Sequence, residues 1–149
     1  MIFKPHTTVA VIVESEQRLL FIEERVGGEL VINQPSGHLE AGESLIDAAR
    51  REALEETGCR IEPQAVVGIY QWRELRTGKA FLRFTFSATL LEEQAHAELD
   101  EGIERTRWLT PAEFQQQPLA HRSPVIERSL EDYLSGDLQP LSLLHWLEP

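Results

Sequence analysis

GHLEAGESLIDAARREALEETG, residues 37–58, is the most strongly patterned segment of this 149-residue chain. Its apolar residues recur with the spacing of an amphipathic helix. Ser44, followed three residues later by Asp47, is typical of a helix start, and Gly58 is typical of a left-handed helix stop. The sequence therefore predicts a helix that begins after Ser44 and ends before Gly58.

Three glutamates, Glu52, Glu55 and Glu56, crowd the last turns of this helix. At about 100° per residue they continue the apolar stripe, whereas a solvated charged face would lie opposite it. Like charges three and four residues apart destabilise an isolated helix by roughly 0.2–0.5 kcal/mol per pair, and a helix C-terminus favours cations. Sequences most often violate such helix preferences at functional sites. We therefore prefer a functional role for the three glutamates over a solvated acidic helix end.

Carboxylates at this spacing converge on one volume, and oxygen ligands suit hard cations such as Mg²⁺ or Mn²⁺. Gly37, in the loop before the helix, gives backbone carbonyls and amides room to approach that ion or a phosphate. A structural calcium site is a weaker alternative, since one helix lacks the roughly six to eight oxygens that Ca²⁺ prefers.

The composition limits the class of protein. With 42% hydrophobic and 26% charged residues, the chain is typical of a globular protein, and its length predicts a single domain over residues 1–149. No apolar run approaches the roughly 20 residues of a membrane span. We see no signal peptide, and the single cysteine, Cys59, agrees with a reducing cytoplasm. A net charge of −11 argues against binding to nucleic acid, so an anionic substrate would require local arginines or a metal ion.

The rest of the chain alternates between strand-like and helical segments. We expect strands at residues 7–13 and 18–24, a short strand within 27–37, a hairpin of residues 65–75 and 80–93, and a strand at 104–110. A short helix from Pro111 and an amphipathic helix over 123–136 follow. The apolar tail, 137–149, is expected to fold back with Trp146 as its packing anchor. This order predicts an α/β fold with a mixed sheet and helices on both faces.

Residues 37–59 resemble a complete Nudix box, the signature of the Nudix hydrolases. Five residues separate Gly37 from Glu43 and seven separate Glu43 from Arg51, after which EALEETG and an apolar Cys59 complete the motif. The resemblance implies an α/β/α sandwich in which the box forms a loop, a helix and a loop. It also implies that Arg51 orients a glutamate, and that Glu43 pairs with Arg51 or binds metal through water.

The same resemblance implies the ligands of the ion, which are Glu52, Glu55 and Glu56 with the carbonyl of Ser36 or Gly37. The family often adds an acid from a distant loop. Here the segment ELDEGIE offers three candidates, of which Glu101 is preferred; the set is Asp100, Glu101 and Glu104. Glu52 is the preferred base for the attacking water, with Arg51, Glu55 and Glu56 completing the catalytic set.

Five further segments, FKPHTTVA, NQPSGHLEAGES, FLRF, RWL and RSPV, resemble a narrower branch of bacterial phosphatases within this family. That branch is similar to enzymes acting on nucleoside di- and triphosphates and on thiamine-type diphosphates. The sequence therefore predicts Mg²⁺-dependent hydrolysis of a phosphoanhydride, with Mn²⁺ as a substitute. The alternatives are an ADP-ribose or dinucleoside polyphosphate pyrophosphatase and a non-catalytic nucleotide-binding sensor.

Four residues outside the box are candidates for holding the substrate, and they are Arg83, Arg73, His38 and Arg122. Each has an ordinary structural alternative. That alternative is weakest for Arg83, because three apolar residues flank it within a strand. Trp72 and Phe81 could stack on a base, but core packing is the preferred interpretation. We expect a small phosphorylated substrate, no nucleic acid or membrane partner, and a monomer or homodimer.

Overall fold

The computed structural model describes residues 1–94 and 96–147. Its elements in chain order are β1 (His6–Ser15), β2 (Arg18–Val26), β3 (Glu29–Asn33), β4 (Ser36–His38), α1 (Leu45–Thr57), β5 (Cys59–Arg73), β6 (Ala80–Glu93), β7 (Ile103–Leu109), α2 (Pro111–Gln116), β8 (Ala120–His121), α3 (Pro124–Ser135), β9 (Gln139–Pro140) and a 3₁₀ helix (Leu141–Leu143). Within those residues no helix has the length and apolar character that crossing a bilayer requires.

Helix α1 begins and ends where the sequence predicts. The Ser44 hydroxyl accepts a hydrogen bond from the Asp47 N–H at 3.1 Å. At the other end Gly58 has a φ of 74°, and its N–H donates to the Leu54 carbonyl at 2.9 Å. This left-handed conformation costs other residues roughly 1–2 kcal/mol, so Gly58 fixes the point at which α1 ends and β5 begins.

In the described part of the chain nine strands form one mixed sheet, in the order β8-β3-β2-β1-β6-β5-β9, with β4 paired to β1 and β7 to β2. The β1–β6 and β3–β8 pairs are parallel and the other pairs are antiparallel. Strands β5 and β6 form the predicted hairpin. The strand β1 lies centrally, so its residues reach β4 and β6 at the same level of the sheet.

Side chains of β1 divide the core into two layers. Val9, Val11 and Val13 point toward α1 and pack with Ala49 and its helical neighbours. Ile12 points the other way, into a cluster formed with α2 and α3 that includes Phe21, Phe114 and Ile126. Apolar layers on both sides of the sheet produce an α/β/α sandwich, which confirms the fold class predicted from the sequence.

Strand β5 differs from the prediction, because it begins at Cys59 and not at residue 65. Its pairing with β6 shifts register between Arg60 and Ile61, and twice more before Gly68. Each shift interrupts the alternation of buried and exposed residues by which a strand is recognised in a sequence. Strands β4, β8 and β9 were also missed, because two or three residues are too few to show any period.

The C-terminal tail folds back as predicted, although its anchor is different. Strand β9 pairs with β5, and Leu141 and Leu144 pack against the α1 side of the core. Trp146 keeps 50% of its surface exposed, so the two leucines hold the tail. Residues 148 and 149 of the predicted tail lie outside the described residues.

Candidate active site

The loop and strand before α1 lie directly against the glutamates at its end. The Ser36 N–H, in β4, donates to Glu56 Oε1 at 2.7 Å. A Cβ added at Gly37 would overlap the carboxylate of Glu52, so only glycine allows this approach without displacing that carboxylate. The two ends of the segment that the sequence singled out therefore meet at the acidic end of the helix.

Arg51 donates five hydrogen bonds, four of them to the carboxylates of Glu43, Glu52 and Glu55. Its Nε and Nη2 donate to the two oxygens of Glu43 at 3.0 and 2.8 Å, which is a bidentate pair. Its Nη1 donates to Glu52 at 2.7 Å and to Glu55 at 3.1 Å, and Nη2 also reaches the His38 carbonyl at 3.0 Å. The hydrogen bonds from Arg51 lower the pKa of Glu43, and the bonds to Glu43 raise the pKa of Arg51. This geometry is the one that the family resemblance implied for Arg51 and Glu43.

A loop acid joins the helix at this point. In the described chain, carboxylate oxygens of Glu52, Glu55 and Asp100 lie within 4.8 Å of one another. We call these three residues the carboxylate group. The Asp100 N–H donates to the Glu55 carbonyl at 3.0 Å, which fixes the loop one residue away from the preferred candidate, Glu101.

The other two candidates therefore need correction. Glu101 is exposed and is not a member of the carboxylate group, because the backbone bond brings its neighbour Asp100 toward the helix instead. Glu104 is used elsewhere, since it accepts a hydrogen bond from Arg25 Nε at 2.9 Å. A difference of one residue in a loop leaves no trace in sequence periodicity.

Burial raises the pKa of two of the helix acids. It raises the pKa of Glu56 to about 9, with further contributions from the charges of Glu24, Glu52 and Asp100. It also raises the pKa of Glu52, although the hydrogen bond from Arg51 opposes the shift. Without a cation, Glu56 is therefore protonated at neutral pH.

A cleft of about 220 Å³ opens beside Glu56 on the α3 face of the sheet. Aromatic side chains form one wall, where the rings of Trp72 and Phe81 stack with centroids 4.8 Å apart. The ring of His6 lies 5.3 Å from that of Phe81, and the ring of His38 lies 5.5 Å from that of His6. Trp72 and Phe81 are only half-buried and line the cleft, so the preferred interpretation of core packing was wrong.

Two residues that line this cleft carry buried donor atoms. The Thr8 hydroxyl and the Arg83 Nε have no hydrogen-bond partner among residues 1–94 and 96–147, although Thr8 is 7% and Arg83 3% exposed. The other end of the guanidinium is held by Gln34 Oε1 at 3.2 Å, and Gln34 is held in turn by Ser129 of α3 at 3.0 Å. Burial lowers the pKa of Arg83 to about 10, so it remains charged at neutral pH.

Of the residues predicted to hold substrate, Arg83, His38 and Arg122 line the cleft, and Arg122 pairs with Glu74 at 3.4 Å. Arg73 does not line the cleft; it donates to the Gly78 carbonyl at 2.9 Å. Successive residues of a strand point to opposite faces, so Arg73 points away from the side on which Trp72 lies.

The sequence interpretation missed His6 and Thr8, and it named Asp100 only as a candidate behind Glu101. A signal for the first two was present, because alternate residues of a strand share a face. His6 and Thr8 therefore point to one face of their strand, and Phe81 and Arg83 point to one face of theirs. What the sequence did not show is that these pairs lie on adjacent strands.

Comparison with known proteins agrees with this geometry. Residues 4–130 match the family model of the NUDIX domain. The chain is 40% identical over 143 residues to a protein named phosphatase NudJ in Escherichia coli K12, covering 95% of this chain and 92% of that one, and the Shigella flexneri protein of that name matches equally. This is the branch that the flanking segments resembled.

Solved structures lead to the same family. A NUDIX hydrolase from Nitrosomonas europaea superposes with a TM-score of 0.92 at 40% identity, covering 97% of this chain and 98% of that one. A MutT NUDIX hydrolase from Burkholderia pseudomallei shares the fold, with a TM-score of 0.73 at 20% identity over 87% of this chain and 98% of that one. This chain belongs to the Nudix hydrolase family and is an enzyme of that family.

Proposed function

We propose that this enzyme hydrolyses a phosphoanhydride bond in nucleoside di- and triphosphates or thiamine-type diphosphates, in a reaction that depends on Mg²⁺. The observation that carries the proposal is the position of Glu56. It lines the cleft and lies close enough to Glu52 and Asp100 for their charges to raise its pKa. A substrate with its organic part in the cleft would therefore present its phosphates to the carboxylate group.

The donor set fits a hard divalent cation. Glu52, Glu55, Asp100 and Glu56 offer only oxygen ligands, and the three acids of the carboxylate group lie close enough together to favour a cation between them. These four would hold Mg²⁺ or Mn²⁺, with the carbonyl of Ser36 or Gly37 as a further ligand. When bound, the ion supplies charge neutralisation to the phosphates and a lowered pKa to an attacking water.

The protein residues would divide the remaining work. Arg51 holds Glu52 and Glu55 in fixed directions, so that neither carboxylate has to be ordered when substrate binds. Glu52 remains our first choice for the general base, because a proton acceptor must lie beside the nucleophile and Glu52 belongs to the carboxylate group. Arg122 and His38, which line the cleft, would contact a phosphate oxygen.

Two features favour this substrate class over the alternatives. The cleft of about 220 Å³ is smaller than the roughly 300–1,000 Å³ typical of ligand pockets, which favours a substrate with one organic group over ADP-ribose and dinucleoside polyphosphates, which carry an organic group at each end. The complete set of acids, ordered by Arg51, argues against a sensor that has lost catalysis. The name of the relatives, phosphatase, agrees with removal of a terminal phosphate.

The test is product analysis with Mg²⁺ over CTP, CDP, thiamine diphosphate, ADP-ribose and a dinucleoside tetraphosphate. We expect orthophosphate from the first three, no turnover with excess chelator, and recovery with Mg²⁺ or Mn²⁺. The matched variant is Glu52→Gln, which keeps the shape and should lose activity by about 100-fold or more, the effect of removing a general base. Undiminished turnover in chelator would refute metal dependence, and a preference for ADP-ribose would refute the substrate class.

A further inference from the structure

A tight turn at the start of β7 holds the backbone of Asp100 on both sides. The Asp100 N–H donates to the Glu55 carbonyl, at the end of α1, at 3.0 Å. The Asp100 carbonyl accepts a hydrogen bond from the Ile103 N–H at 3.2 Å, which closes a β-turn over residues 100–103. Because the N–H and the carbonyl of Asp100 are both held, the turn determines where its carboxylate lies relative to Glu52 and Glu55.

Gly102 supplies the conformation on which this turn depends. Its φ is 92°, and a positive φ at the third position of a β-turn is typical of type II, which favours glycine or asparagine there. The Gly102 carbonyl accepts a hydrogen bond from the Arg25 N–H of β2 at 2.9 Å. Asp100 is therefore attached to α1, and Gly102, two residues later, is attached to β2. The chain can make both attachments because the positive φ of Gly102 turns it sharply between them.

A side chain at Gly102 would act through the backbone and not through a collision. An added Cβ would lie 3.9 Å from the Arg25 carbonyl oxygen, which is ordinary van der Waals contact. A positive φ is unfavourable for residues with a Cβ, most of all for β-branched residues, and asparagine adopts it more readily than most. Substitutions at Gly102 therefore form a graded series in which the turn conformation is the main property that changes.

We infer that Gly102 is a positioning residue for the metal ion: its left-handed conformation holds the Asp100 carboxylate beside Glu52 and Glu55, although Gly102 offers no side chain to the ion. The inference rests on the proposed function, because it takes the carboxylate group as ligands of the divalent cation. Glu101 and Gly102 are both exposed, so these two residues add nothing to the hydrophobic core. A glycine that served the chain reversal alone would affect stability without affecting metal affinity.

The experiment measures metal binding without substrate, so that it does not depend on catalysis. Mn²⁺, whose free form is followed by electron paramagnetic resonance, is titrated into the parent and into each variant. Gly102→Val destabilises the turn conformation, Gly102→Asn retains it, and Asp100→Asn removes the carboxylate charge while keeping the shape. Thermal melts in chelator report the stability of each protein, and Gly102→Ala takes the place of Gly102→Val if the latter does not fold.

Gly136 provides the matched control, because it has a φ of 77° at the end of α3, on the opposite face of the sheet from α1. An added Cβ there would meet nothing within 4 Å among the described residues. We expect Gly102→Val and Asp100→Asn each to weaken Mn²⁺ binding by about 10- to 100-fold, the usual effect of losing a group that orients metal ligands. Gly102→Asn and Gly136→Val should bind Mn²⁺ like the parent. In the Asp100→Asn background, Gly102→Val should have little further effect.

Several outcomes would overturn the inference. They are unchanged Mn²⁺ affinity in Gly102→Val, an equal loss of affinity in Gly102→Asn or Gly136→Val, additive losses in the double variant, and failure of the parent to bind Mn²⁺. Product analysis separates the two proposals. If Mn²⁺ binding follows the expected pattern while no phosphoanhydride is hydrolysed, the positioning role stands and the proposed function fails. If Gly102→Val binds Mn²⁺ like a parent that hydrolyses these substrates with Mg²⁺, the positioning role fails and the proposed function stands.

Discussion

Glu56 shows most clearly how burial modifies what the sequence suggests about a single residue. The helix pattern implied three charged glutamates that repel one another. Burial raises the pKa of Glu56 to about 9, so near pH 7 the metal-free protein carries a proton there and the repulsion is reduced. A cation that uses Glu56 must therefore displace a proton, and its affinity should rise with pH.

Glu56→Gln should change the pH dependence of the metal-free fold. An acid whose folded pKa is raised contributes stability that is fully present below its unfolded pKa, near 4.5, and is lost as pH rises toward about 9. The amide does not titrate, so the variant should match the parent near pH 4.5 and be the more stable protein at pH 8. Thermal melts in chelator across this range give the comparison.

The same melts with excess Mg²⁺ test the role of Glu56 as a ligand. A ligand stabilises a protein only as far as it binds the folded state, so the variant should gain less from Mg²⁺ than the parent. Activity should fall by orders of magnitude. A variant that loses metal-free stability at pH 8 and keeps the full Mg²⁺ increment would show that Glu56 serves the fold.

Between elements, β4 approaches α1 closely at the site. Gly37 leaves room for the carboxylate of Glu52, and the atom that an added Cβ would meet is the far end of that side chain. Because such an end can move, a methyl group here should shift the carboxylate and leave both elements in place. This contact therefore acts on function more than on stability.

Gly37→Ala should lower kcat by about 10-fold or more, with a change in the free energy of unfolding of about 1 kcal/mol or less, since displacing a catalytic group by about 1 Å can reduce the rate about 100-fold. Steady-state kinetics and thermal melts measure the two quantities. The control is a double-mutant cycle with Glu52→Gln. Additive effects on kcat would mean that Gly37 does not act through that carboxylate.

Elements were predictable where local chemistry defines them. Helix α1 was predicted to the residue because Ser44 and Gly58 each satisfy backbone groups at its ends. Strand β5 was predicted six residues short because its pairing shifts register three times. The site was predictable to the same extent. The box glutamates and Arg51 were predictable because they lie on one helix. The position of Asp100 was not, because it depends on one backbone hydrogen bond between a distant loop and the Glu55 carbonyl.

At the scale of the whole molecule, the C-terminal tail covers the hydrophobic core on the α1 side of the sheet. Leu141 and Leu144 pack against that layer and do not line the cleft, which opens on the opposite, α3, face. Closure of the core and recognition of substrate are therefore carried out on different faces of one sheet. Their mutational effects should separate.

Leu144→Ala should reduce the free energy of unfolding by about 1–3 kcal/mol, below the range for a fully buried leucine because Leu144 is only half-buried. The kcat/KM of the folded protein should stay unchanged. Leu143→Ala is the control, since Leu143 is 54% exposed and should change stability by less than about 0.5 kcal/mol. Denaturant titration and steady-state kinetics would test this, and equal losses in both variants would contradict the assigned packing.

The alternation of side chains along β1 and β6 also bears on how this enzyme can diversify. Thr8 and Arg83 alternate along their strands with Val9 and Phe84, which belong to the α1-side core. A one-residue insertion or deletion in β1 or β6 would exchange the two sets, placing valine in the cleft and a charged guanidinium in the core. New substrate preferences can therefore arise by substitution of the side chains that line the cleft. An insertion or deletion in either strand would damage substrate recognition and folding together.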